Sequence, residues 1–354
     1  MAGPSLERIA YYTLQQGKSL AGLAHKELSS KLMGIFAPEA VPERFPIDQE
    51  LVKEIRRSME DLERTDWKEA EEGIYPKSQL FDAPWLEWAK KYPLVWLDMP
   101  LTWERRKRNK TREIPRDVNE KDYPNYYLQN FHHQTDGYLS EHSAEIYDLQ
   151  VEILFNGTAD SMRRRVLAPL KRGLKKHLSG NKTKAKVLDV ATGTGRTLQQ
   201  IQSALPEVEL HGLDLSGSYL KQASKYLSAR SGDLVQLTKA NAEKMPYSSN
   251  SFQALTCVFL FHELPREARQ NVINECFRLL EPGGILVLAD SIQIDDSPKF
   301  TSIMENFHKI FHEPYYRDYI IDDINLRLEE SGFSSISSES HFMTKIWKAN
   351  KPKE

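Results

Sequence analysis

Ala185-Lys-Val-Leu-Asp189-Val-Ala191-Thr-Gly193-Thr-Gly195-Arg-Thr197 is the stretch on which the fold turns. Its opening, Ala185 to Val190, is a short, mostly apolar, branched run with the length of a buried parallel strand. The run passes through a glycine-rich turn into a helical pattern from Arg196 to Ala204. A strand, a glycine turn and a helix at the carboxyl edge of a parallel sheet make a ligand crevice, because glycine lets a ligand approach backbone that a Cβ would block. A dinucleotide fingerprint would place a third glycine or small residue at 198; Leu198 stands there and argues against NAD. Asp189 instead precedes Gly193 by four residues, in the spacing D-x-x-x-G-x-G. A carboxylate there would orient the turn and hold the ammonium of an amino-acid cofactor, indirectly or through water.

Outward from this stretch, strand patterns occur at Val208 to Leu213, Leu234 to Thr238, Ala254 to Leu260 and Ile285 to Ala289, with two late strands near Ser334 to Ser338 and His341 to Trp347. Helical patterns fill the intervals at Ser218 to Ser228, Arg266 to Leu280 and Asp322 to Ser331. This alternation predicts an α/β, doubly wound sheet. Asp214, nineteen residues beyond Gly195, ends the second strand, where a carboxylate can accept both hydroxyls of a ribose. Pro282-Gly283-Gly284 forces the turn from helix into the fifth strand.

The character changes near residue 180, at the polar cluster Leu178 to Lys184. The earlier part is helical and aromatic-rich, with helices expected over Arg8 to Leu32 and Leu51 to Ala70, and it holds five of the six tryptophans. Its basic run, Arg105 to Arg112, reads first as solvated surface and second as a contact for an acidic partner. Over the whole 354 residues the formal charge is -2 and the pI about 6.6, which gives no field for nucleic acid or an anionic membrane. Cys257 and Cys276 form neither a disulfide framework nor a zinc motif, so a reducing, cytoplasmic setting is expected. The N-terminus lacks a secretory pattern, and no run approaches the length of a membrane span.

Five motifs in order carry a resemblance: the Asp189 turn, Asp214, Ala240-Asn241-Ala242-Glu243, Ser251 to Pro265 around Phe259-Leu-Phe-His262-Glu263, and Arg278 to Gly284. From about Val187 to Trp347 the sequence resembles the class I S-adenosylmethionine methyltransferases, in the group that includes ubiquinone and menaquinone C-methyltransferases. The resemblance implies a Rossmann-like seven-stranded sheet in the order 3-2-1-4-5-7-6, with S-adenosyl-L-methionine as cofactor and S-adenosyl-L-homocysteine as product. It implies that Asp189, Ala191, Gly193 and Gly195 surround the methionine part, that Asp214 and Leu215 meet the ribose, and that Asn241 and Ala242 meet the adenine. Phe259 would face the cofactor, and the region ahead of the first strand would fold over it as a lid.

Methyl transfer from a sulfonium needs alignment and exclusion of water, and needs a base only for a weak nucleophile; no metal is required. His262, just past the fourth strand, is the best-placed base, with Glu263 beside it capping a helix or pointing away. His133 and Tyr138 in the lid region, and His312, Tyr315 and Tyr316 after the fifth strand, are candidates for the acceptor pocket; each can equally be a packing residue. The expected protein is a helical, aromatic-rich extension or cap (1–135) joined to a methyltransferase domain (136–354). Its expected activity is C- or O-methylation of a small aromatic or lipophilic acceptor. The alternatives are N-methylation of a small amine and a non-catalytic cofactor-binding module. Phe-His-Glu-Leu-Pro at 261–265 is unlike the motif that grips a planar amide or base, so nucleic acid is not expected as a partner; a homodimer is allowed.

Overall fold

The computed structural model describes residues 5–43, 47–178, 184–230 and 232–354. Residues 179–183 of the turn expected at 178–184, and residues 1–4, lie outside the described residues. Helix α1 (Leu6–Phe36) begins where the Ser5 side chain accepts from Arg8 N, and α2 (Gln49–Glu71) where Asp48 accepts from Leu51 N at 2.7 Å. Both helices outrun the sequence expectation, because their polar caps lie outside the apolar pattern. Helix α3 (Trp85–Lys107) was not foreseen as a helix; it runs through Pro93 and Pro100, each of which removes an N–H donor. The basic run ends this helix, where cations meet the negative end of the helix dipole. It divides there: Lys107 and Arg108 pair with Glu39 and Glu104 on the surface, whereas Arg105 turns inward and its Nε donates to His133 O at 3.0 Å.

Helices α4 (Glu141–Leu154), α5 (Ala159–Arg163) and α6 (Leu167–Leu178) lead to the sheet. There β1 (Lys186–Val190), α7 (Arg196–Ala204), β2 (Glu209–Asp214), α8 (Gly217–Ser228), β3 (Gln236–Lys239), β4 (Phe252–Val258) and α9 (Arg266–Leu279) alternate. They are followed by β5 (Leu280–Ser291), α10 (Thr301–Ile310), α11 (Tyr316–Tyr319), α12 (Ile324–Glu330), β6 (Ser334–His341) and β7 (Thr344–Asn350). The strand order is β3-β2-β1-β4-β5-β7-β6, with β7 antiparallel to both neighbours, as expected. Strand β5 starts earlier than the expected Ile285: Leu280 already pairs with Phe252, and Pro282-Gly283-Gly284 forms an irregularity inside the strand. The edge strand β6 is serine-rich and mostly exposed, and its pairing slips between Ser334 and Ser337 around Ser335 at φ 53. No helix among the described residues is long and apolar enough to cross a membrane.

Leu188, Val190, Leu255 and Leu288 pack on one face of the sheet with residues of α9 and α12. Val187, Ala254, Ile285 and Val287 face the other side, where they join α6 and α7 and also Tyr11, Trp67, Tyr75 and Leu80 of the N-terminal segment. The extension thus shares a continuous core with the sheet. At its centre lies Asp66, fully buried, which accepts from the hydroxyls of Tyr11 and Tyr75 and from the guanidiniums of Arg164 and Arg165. Burial alone would raise the Asp66 pKa; the two guanidiniums outweigh it and hold the carboxyl well below the usual range.

Removing one partner from a buried ion network leaves the others charged and unpaired. Asp66→Ala is therefore expected to cost about 3–5 kcal/mol in denaturant unfolding; a cost under about 1 kcal/mol, the level of a surface ion pair, would contradict this assignment.

Candidate functional site

At the carboxyl end of β1 the chain turns sharply, with positive φ at Ala191 (57°), Gly193 (55°) and Gly195 (83°). Asp189 braces the turn from beneath: its oxygens accept from Thr192 Oγ1 at 2.8 Å and Thr256 Oγ1 at 2.6 Å. It is 1% exposed, and burial pushes its pKa up to about 7. Gly195 opens α7, and a Cβ there would meet Ala223 Cβ at 3.1 Å, so this glycine serves close packing against α8. Leu198 explains itself from the opposite side: a Cβ on Gly212 of β2 would lie 2.7 Å from Leu198 Cδ1, so the small residue that permits close helix packing sits on the strand.

Asp214 stands at the tip of β2. It accepts from Gly193 N and Ser216 N, both at 2.8 Å, and burial pushes its pKa up to about 6. It opens onto a cavity of about 120 Å³ that is also lined by Ala191, Gly193, Leu215, Asn241, Ala242 and Phe259. Asp189 and Gly195 support this wall without lining it. Asn241 keeps its side-chain oxygen on Glu243 N at 2.9 Å. Phe259 has φ 58°, held by its N–H on Ala289 O at 2.8 Å. Positive φ at the non-glycine residues Ala191 and Phe259, both on the cavity wall, is the kind of local strain that clusters at ligand sites.

The opposite wall is aromatic and comes largely from the chain ahead of β1: Tyr126, Tyr127, Tyr138 and Tyr147, with Tyr219 from α8. The Tyr138 hydroxyl donates to Glu263, which also lines the cavity. Glu263 does not cap α9, whose N-cap is Pro265 without a side-chain bond. His262 lines neither this cavity nor the second, larger one. Its Nδ1 lies 2.6 Å from Asp290 Oδ1, and its ring packs edge-on against Tyr316 and Tyr319. Burial would lower the His262 pKa, but Asp290 outweighs it and raises it. Residues 261–263 form a single 3₁₀ turn, in which neighbouring side chains diverge by about a third of a revolution. The two side chains nonetheless stay in reach of one another, with His262 Nε2 3.8 Å from Glu263 Oε1.

A second, mainly apolar cavity of about 360 Å³ lies among α1, α3 and α4. Met33, Val95, Trp103, Val151 and Phe311 supply apolar walls, and His132 and His133 face it. Tyr147 lines both cavities. His133 has no partner at Nδ1, and burial with Arg106 pushes its pKa down to about 4. His312, Tyr315 and Tyr316 line neither cavity. Gln129 latches the first two, with His312 Nε2 2.9 Å from its oxygen and its Nε2 donating to the Tyr315 hydroxyl at 3.2 Å, while the Tyr316 hydroxyl meets Ser291 Oγ at 2.8 Å. Sequence reasoning missed Glu263, Tyr147 and Tyr219 as wall residues. The first was visible only as the neighbour of His262, and the tyrosines carry no spacing that marks them.

Residues 187–284 match a family model described as a methyltransferase domain. The chain is similar to a demethylmenaquinone methyltransferase of Thermotoga maritima, 31% identical over 170 residues that cover 48% of this chain and 67% of that protein. A demethylmenaquinone methyltransferase of Lactiplantibacillus plantarum is 30% identical over 178 residues, covering 48% and 70%. A ubiquinone/menaquinone biosynthesis C-methyltransferase of Desulfotalea psychrophila is 29% identical over 145 residues, covering 41% and 53%, so the match there spans about half of that relative.

The raised pKa of Asp189 has a stability consequence. The folded state holds this proton more tightly than the unfolded chain, whose Asp titrates near about 3.9, so stability falls as pH rises from about 4 to about 7. Asn keeps an oxygen for one threonine and offers an amide donor to the other. In ligand-free thermal melts, Asp189→Asn should gain on wild type as pH rises from 4.5 to 8 (roughly the span of the two pKa values); melting curves that stay parallel across that range would refute the assignment.

Proposed function

The chain belongs to the class I S-adenosylmethionine-dependent methyltransferases, in the group related to the ubiquinone/menaquinone C-methyltransferases, and from that premise we propose that it C- or O-methylates a small aromatic or lipophilic acceptor. The observation that carries this reading is the adjacency of the two cavities, with Tyr147 as their common wall. The smaller one would take S-adenosyl-L-methionine and release S-adenosyl-L-homocysteine. Asp214 would accept the ribose hydroxyls beside Leu215, and Asn241 and Ala242 would meet the adenine. Ala191, Gly193 and Phe259 would border the methionine part, with Asp189 and Gly195 holding the turn.

The larger cavity would take the acceptor. Its apolar walls suit a greasy ring, and Arg106 Nη2, buried without a partner on that wall, suits an acceptor oxygen. His133 faces the acceptor and is the histidine placed to receive its proton; His262, tied to Asp290, would act by fixing the turn that presents Glu263. Tyr138 would close the cofactor site, and His312, Tyr315 and Tyr316 would shape the acceptor side from behind. In this reading residues 1–135 are the cap and 136–354 the methyltransferase domain.

N-methylation of a small amine is a second reading, favoured by the tyrosine rings and Glu263, which suit a cation. They equally suit the sulfonium of the cofactor, and the unpaired Arg106 favours an oxygen-bearing acceptor over an amine. A non-catalytic module would bind cofactor and turn over no acceptor. The two buried cysteines accord with a cytoplasmic setting, and the exposed Leu20, Leu23, Leu97 and Leu101 accord with a homodimer. We assign no nucleic-acid partner.

Calorimetric titration of S-adenosylhomocysteine tests the cofactor assignment. Asp214→Ala should weaken binding about tenfold or more, as loss of charged hydrogen bonds does. The ionised carboxylate is the form that accepts two hydroxyls, so wild-type affinity should fall as pH drops below about 6 and the variant should lose that dependence. Equal affinity of the two proteins would overturn the assignment. Mass analysis of products from phenolic, quinol and amine acceptors then separates C-, O- and N-transfer from no turnover.

A further inference from the structure

At the seam between the two cavities, His132 Nε2 lies 3.1 Å from Glu313 Oε1 and 3.8 Å from Glu263 Oε1. One ligand atom from each of the three side chains falls within 4.8 Å of the other two. These residues come from separate segments: the strained turn ahead of α4, the 3₁₀ turn after β4 and the chain between α10 and α11. The backbone clips two of them together, with His132 N donating to His312 O at 3.2 Å.

Glu313 is the anomaly. Its side chain is wholly buried, neither oxygen has a hydrogen-bond partner, and its charged neighbour is His132. A buried carboxylate without donors is costly, and a second carboxylate nearby adds repulsion. One histidinium would offset a single negative charge, whereas a dication would offset both. Oxygen and nitrogen ligands about 2.0–2.2 Å from a metal stand roughly 3–3.5 Å from one another at tetrahedral or octahedral angles; the 3.1 Å between His132 and Glu313 is already in that range, and Glu263, 3.8 Å from His132, would close in on binding. One imidazole with two carboxylates suits the divalent first-row cations, from manganese to zinc, and lacks the thiolates of a structural zinc site.

We propose that His132, Glu263 and Glu313 bind one divalent transition-metal cation at the junction of the two cavities. His132, Glu263 and Glu313 share no ligand spacing in the sequence, and both the cysteine pattern and the cofactor chemistry argued against a metal. Three protein ligands leave coordination positions open. Glu263 lines the smaller cavity and His132 the larger, so a bound cation can hold an acceptor oxygen and lower its proton affinity. The sulfonium carbon–sulfur bond would then break with its electron pair going to sulfur, the acceptor would form the new bond to the methyl carbon, and its proton would leave to His133. Only this role rests on the methyltransferase reading; metal binding stands apart from it.

The full chain, stripped with chelator and dialysed, is titrated calorimetrically with MnCl2 and separately with ZnCl2. One equivalent should bind, and His132→Gln and Glu313→Gln should each weaken binding tenfold or more, while the exposed Glu330→Gln behaves as wild type. Pulsed electron paramagnetic resonance of the manganese form should show modulation from one imidazole nitrogen, so wild type alone can decide if a variant fails to fold. Absence of saturable binding of both metals, binding untouched by both substitutions, or a manganese signal without nitrogen coupling would each overturn the site. S-adenosylhomocysteine titrated into the same samples reports on the cofactor reading independently.

Discussion

A single buried carboxylate, Asp66, decides where the N-terminal helices sit. Four side chains from three parts of the chain donate to it, and one of these donors, Arg165, also pairs with Glu69 at 2.7 Å. Removing so many charges from water gains little net free energy, because desolvation consumes most of the attraction. What such a network confers here is position: α2 can dock in only one place that satisfies both arginines ahead of α6. The arrangement of α1 against α4, and with it the larger cavity, follows from that docking.

The ligand wall obeys a related logic with the opposite electrostatic sign. Asp189 is buried and Asp214 half-buried, with hydroxyl and amide donors but no cation, so both carboxyls are pushed upward rather than held down. Asp189 uses its bonds to hold a turn whose residues sit at positive φ. Asp214 uses one oxygen on that same turn and faces the cavity. Strain in the turn is therefore countered from beneath by one acid and from the side by the other, which presents Gly193 to a ligand without a side chain in the way.

Most of the sheet was legible because β1, β2, β4 and β5 are apolar runs separated by helices with clear periodicity. The order of its strands came from the resemblance and not from periodicity. Helix α3 was not legible: Pro93 and Pro100 read as breakers inside its pattern, although Trp85, Trp88, Trp96 and Trp103 fall on one face of it. In the site, the residues named on the β1, β2 and β4 edges fall on the wall of the smaller cavity or directly behind it, since strand ends are fixed by the sheet. Of the tyrosine wall only Tyr138 was named, because the rest depends on how a separate helical layer folds back. Glu263 lines the smaller cavity where His262 was the expected residue, because a 3₁₀ turn replaces the regular strand-to-helix step at 261–263.

Strand β6 has a consequence for how copies of this protein can meet. An edge strand with open N–H and C=O groups invites another chain to extend the sheet, the first step toward fibres. This edge carries serines and Glu339 outward and is kinked at Ser335, so its pairing groups are out of register for a flat partner. The opposite edge, β3, has four residues and ends in Lys239. With both flanks of the sheet blunted, contact between copies is steered to helical faces, and a two-fold contact there closes into a discrete assembly rather than propagating as a β-ribbon.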